Sequence, residues 1–294
     1  MDTEATRVTQ SYLEHLGADD VALVRAAADA PPGGEQAPVD ELLGDLRVRQ
    51  ALFGGAGAAE PLLGVSPFLM FAVAVHGVAD NLGSMTYVTE WLGPHLRAPV
   101  FDVEPLRDFL HAPRRRLFLA ELLASYTHVA SGSVLVATRR GLRRHRFSEL
   151  DPVRLAGLLE VVPEADRPGI LRRLGDLSLF LTGVFPDQVA NRGFGPIEEA
   201  RLRRAGAATV PVGGPAADGE WLGIDRGGAV GLLERLGRRW YRAAYERMGR
   251  PVPVELAVIG ELPGRFDHAR RILNLVTDQF LFARREQWFG LGSS

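Results

Sequence analysis

The stretch LGDLSLFLTGVFPD, residues 174–187, is apolar except for two hydroxyls inside it and a carboxylate near each end. At a 3.6-residue period, Leu174, Leu177, Leu181 and Val184 line one side, while Leu179, Phe180 and Gly183 cover much of the other. A helix that is apolar nearly all round must be surrounded by protein or by lipid. The apolar run 177–185, like the run 67–75, is well short of the ~18 to 20 residues that a bilayer requires. The stretch therefore predicts a buried helix in a globular protein. The rest of the chain reads around it as a mainly α, bundle-like fold with one small β-hairpin.

Pro168 sits in the first turn of this helix and Pro186 closes it. Upstream, helices are expected over 6–16, 19–30 (started by Asp19 or Asp20 as a cap) and 40–53. A further helix is expected over 67–82, where Ser66 caps and Pro67 takes the first position. Residues 86–102, interrupted by Gly93, Pro94 and Pro99, read as a connector with one short strand. Helices follow over 104–111 and 113–128. Residues 133–138 and 142–147 flank an Arg-Gly turn and predict the hairpin, within 133–147. Asp151 with Pro152 starts a helix that ends near Val162. After Asn191 the chain becomes rich in Gly, Ala and Pro. This places a boundary between a helical core domain, 1–191, and a loop plus C-terminal helical subdomain, 192–294, with long helices over 228–248 and 263–282. No internal repeat is present.

Composition narrows the chemistry. The 294 residues include no cysteine, and all 34 basic residues are arginine. Thiol nucleophiles, cysteine-bound metal clusters and disulfides are excluded, as are lysine Schiff bases and a phosphate-loop lysine. The net charge of −2 excludes a global basic field, so any nucleic-acid contact must be local. The acidic N-terminus lacks a basic segment followed by an apolar run, so a cytoplasmic protein with no membrane partner is expected.

Four residues are candidates for a ligand or metal site. Asp176 lies in the apolar stretch and needs a partner. Arg172 and Arg173, four and three residues earlier, offer a local ion pair, with Ser178 and Thr182 bonding to their own backbone. The alternative is that Asp176 faces a cavity. His76 and Asp80 lie four apart on a very apolar helix, a spacing that suits a metal pair or a carboxylate-oriented imidazole and equally a satisfied core histidine. Glu121, also in an apolar helix, would complete a cluster if the helices converged. No Glu-x-x-His motif is present, and no motif specifies a metal or cofactor. His128 stands at a helix end near Ser125, Ser131 and Ser133, but no G-x-S-x-G elbow supports a hydrolase. His95 is a loop residue, and Trp240, Tyr241 and Tyr245 read as packing.

Arginine density gives a second kind of site. Arg139, Arg140, Arg143, Arg144 and Arg146 crowd the hairpin, and Arg114, Arg115 and Arg116 open the helix before it. The outline is that of a winged helix with its hairpin against phosphates or another anion. The helix RRRLFLAELLASY is too apolar to read bases, and the alternatives are a solvated turn or a subunit contact.

The stretches LFLAELLASYTHVASGSV (117–134), RFSELDPVRLAGLLEVVPEADRPG (146–169) and LGDLSLFLTGVFPD, with RILNLVTDQFLF nearer the C-terminus, resemble a group of uncharacterised actinobacterial proteins. The resemblance implies a bacterial origin and a complete chain, and it transfers no activity or cofactor. Three functions are then expected, in descending order. The first is a binding or regulatory protein with a small molecule in its core or a second copy as partner. Nucleic-acid binding through the hairpin comes second, and a metal- or cofactor-dependent enzyme using His76, Asp80, Glu121 and Asp176 third.

Overall fold

The computed structural model describes residues 2–29, 37–54, 64–128, 131–138, 141–207, 227–249, 251–253, 256–281 and 288–289. The fold is mainly α, as expected: thirteen α-helices and two two-stranded ladders lie among the described residues. The chain divides into two compact units. One holds residues 1–89, 99–128 and 271–294; the other holds 90–98 and 129–270. The expected boundary after 191 falls inside the second unit.

In the first unit, α1 (Asp2–His15) and α2 (Ala18–Ala27) are followed by α3 (Val39–Leu42) and α4 (Leu46–Phe53). The single helix expected over 40–53 is split because the Asp45 side chain accepts from Arg47 N, 2.7 Å, and caps a new start. The centre is α5 (Pro67–Ser84), where every residue from Phe68 to Val78 is buried. Ser66 caps it by accepting from Leu69 N, 3.1 Å. Asp20 is not the cap of α2. It sits one turn in and accepts from Gly17 N and from Ser66 N, tying two helix starts together. The helices α6 (Glu104–His111) and α7 (Pro113–Ser125) pack on α5. The arginines at the start of α7 close the end of α6: Arg115 Nη1 donates to Asp108 O, 3.0 Å, and Arg116 Nη1 to Leu110 O, 2.6 Å.

In the second unit, α9 (Arg167–Val184) contains the opening stretch, and all residues from Leu174 to Val184 are buried. Its closest partner is α12 (Gly228–Arg247). The approach is set by glycine. A Cβ at Gly175 would lie 2.8 Å from the Tyr241 ring, and one at Gly237 2.7 Å from the Phe266 ring and 2.9 Å from Ser178 Cβ. Around this pair stand α8 (Pro152–Gly157), α10 (Pro186–Arg192) and α11 (Pro196–Ala207). Asp151 caps α8, accepting from Val153 N and Arg154 N. The last long helix, α13 (Ala257–Val276), begins six residues before Pro263, where the sequence placed its start. Burial of Val258, Ile259 and Leu262 holds the extra turns, and Arg238 Nη1 bonds Pro263 O at 3.1 Å. A π turn, Thr277–Leu281, ends it in the first unit.

Residues 86–102 form more than a connector: β1 (Val88–Gly93) and β2 (Leu96–Val100) pair as a ladder. Pro94 turns the chain, and His95 takes a left-handed φ of 60°. The expected hairpin is β3 (Ser131–Thr138) with β4 (Gly141–Ser148), antiparallel, with Ser131 opposite Ser148 and Thr138 opposite Gly141.

Candidate functional site

In the first unit, a buried polar pair joins α1 to α5, close to α7. Tyr12 Oη and His76 Nε2 are 3.1 Å apart, and both residues are buried. Phe68 stands beside them, its ring 5.9 Å from that of Tyr12 and stacked at 4.6 Å on His15. His15 Nε2 in turn meets Glu121 Oε1 at 2.9 Å, in a partly exposed pair. Burial, helped by the charge of Arg116, lowers the His76 pKa to about 3. Burial also raises the Tyr12 phenol, with Asp40 and Glu121 adding to the rise and Arg116 opposing it. At neutral pH this is a neutral imidazole on a neutral phenol. One proton lies between them, and neither group is poised to exchange it.

The helical spacing of His76 and Asp80 does not make them partners. The Asp80 carboxylate is half-exposed and pairs with Arg49 at 3.6 Å, while Arg49 also donates to Gly77 O. Thus His76 turns to Tyr12, Asp80 to Arg49 and Glu121 to His15. Asp176 belongs to the second unit. Among the described residues, no three His, Asp or Glu side chains are grouped so as to hold a metal ion.

Asp176 accepts a 2.7 Å hydrogen bond from Tyr241 Oη and lies 3.8 Å from Arg172 Nε. The local ion pair is therefore present with Arg172, whereas Arg173 reaches Glu149 at 3.2 Å. Thr182 Oγ1 bonds back to Ser178 O as expected, but Ser178 Oγ is buried with no hydrogen-bond partner among the described residues. The carboxylate at the end of the opening stretch, Asp187, accepts from the indole of buried Trp91 at 2.8 Å.

A further cluster in the second unit was not foreseen. Arg270, fully buried, places Nη2 2.7 Å from Glu90 and 3.1 Å from Asp267, and Nε 3.1 Å from Glu234. Burial disfavours its charge, but Glu234, Asp267 and Glu90 outweigh that and raise its pKa. A signal existed: Glu234 shares a helical phase with Val230, Gly237 and Tyr241, and Arg270 with Phe266 and Leu273. A charge on a buried stripe requires a countercharge. Glu90 lies 180 positions from Arg270, beyond any local pattern.

Of the hairpin arginines, Arg143 stands opposite Val136, Arg144 opposite Leu135 and Arg146 opposite Ser133. Arg139 and Arg140 lie outside the described residues. His128 Nδ1 meets Thr127 Oγ1 at 3.0 Å, and Ser125 Oγ donates to Leu122 O, so each bonds locally.

No family model, curated protein or solved structure matches this chain. No helix among the described residues is long and apolar enough to cross a membrane.

Proposed function

We propose that this chain is a cytoplasmic binding or regulatory protein, working by association with a small molecule or a second copy of itself. The supporting observation is the Tyr12–His76 pair. His76, buried in α5, is locked against a phenol, with its pKa at about 3, far from the range in which an imidazole serves as acid or base. Asp176 is likewise engaged by Tyr241 and Arg172. Side chains this committed to one another specify a fold more readily than they turn over a substrate.

Native mass spectrometry and light scattering on the full chain test the proposal. A mass above the monomer, or a co-purified small molecule, is expected. A bare monomer at every concentration, together with a turnover activity abolished by His76→Gln, would overturn it in favour of an enzyme.

A further inference from the structure

We propose that the β3–β4 ribbon binds the phosphate backbone of double-stranded DNA. Residues 131–148 carry five arginines and one histidine and no carboxylate. Subtracting that stretch's +5 from the chain's −2 leaves −7 on the remainder, so positive charge is concentrated in one short stretch of sequence, three of its arginines on β4, in an otherwise acidic chain. Arg115 and Arg116 are used on the carbonyls of α6, and most of α7 is buried, so that it presents no exposed face for reading bases. The proposal therefore rests on the ribbon alone.

Its geometry suits a duplex. Each strand has eight residues, about 26 Å at ~3.3 Å per residue. A two-stranded ribbon of this kind enters the major groove of B-DNA. Positions 144 and 146 share one phase of the ladder and 143 the other, so the arginine positions are distributed over both phases. Unpaired strands are held by stacking bases on several aromatic rings, and Phe147 is the one aromatic residue of the ribbon. Phosphate contact needs charge alone, and the acidic remainder of the chain confines that contact to the ribbon.

The test is fluorescence anisotropy of a short labelled DNA duplex titrated with the full chain over a salt series. Binding at low salt is expected, and three phosphate contacts would weaken it by about 40-fold between 50 and 200 mM salt. The R143Q/R144Q/R146Q variant should lose that dependence and bind at least about tenfold more weakly at low salt. R201Q/R204Q, on the exposed face of α11, should bind as the parent does. If circular dichroism shows that the triple variant is unfolded, R143Q and R146Q singly should each lower the salt slope by about one. The proposal is overturned by no binding at low salt, by an equal loss in R201Q/R204Q, or by tighter binding to single-stranded DNA or phosphatidylserine vesicles than to duplex. Its failure would leave the association of the chain with itself or a small molecule untouched.

Discussion

Tyr241→Phe removes the 2.7 Å bond to the buried Asp176 carboxylate and adds nothing in its place. A hydrogen bond to a charged group contributes about 1.5–3 kcal/mol, and urea denaturation should show a loss of that size. His76 gives a pH signature instead. Its folded pKa of about 3 lies below the ordinary 6.5, so between those values the unfolded chain binds one more proton. Stability contributed by the neutral imidazole is complete above pH 6.5 and falls as pH drops toward 3, by about 1.4 kcal/mol per pH unit. The urea midpoint followed against pH should show this limb, and His76→Gln should flatten it. Local spacing foretold the Asp176–Arg172 pair because four residues along a helix fix the distance. It misassigned His76 to Asp80 because spacing permits a contact without excluding a better partner from another helix.

The α9–α12 seam depends on small residues at defined positions. Gly237→Ala adds a methyl 2.7 Å from the Phe266 ring, and the overpacking should cost about 1–3 kcal/mol despite the higher helix propensity of alanine. Gly264→Ala, within α13 and with open space around its Cβ, should act oppositely and stabilise by about 0.5–1 kcal/mol. Thermal melts of the two variants should therefore shift in opposite directions. Most helices were legible from caps and prolines: Ser66–Pro67, Asp151–Pro152 and Pro168 each mark an observed start. The exceptions are physical. Asp45 interrupts an apolar pattern with a stronger local bond, and apolar burial carries α13 through Pro263. The β1–β2 ladder went unseen because cross-strand bonding, rather than alternation, defines so short a pair.

Across the whole molecule, Arg270 answers carboxylates from three separate parts of the chain, Glu90, Glu234 and Asp267. Arg270→Met leaves the buried Glu90 and Glu234 carboxylates without it, and a loss of about 3–5 kcal/mol is expected in denaturant titrations. Because α9 and α12 lie on either side of residue 191 yet bury one another, residues 192–294 expressed alone should lack the cooperative unfolding transition of the full chain. That experiment also tests the expected subdomain boundary. Helical class, burial of 174–184, the hairpin and the exclusion of thiol and lysine chemistry all follow from neighbouring residues or from composition, and a chain carries those in one dimension. Tyr12, Tyr241 and Glu90 lie 64, 65 and 180 positions from His76, Asp176 and Arg270, which they bond. Such pairings depend on which helix faces meet, a choice made by shape and desolvation only once the folded chain brings distant residues within hydrogen-bond reach.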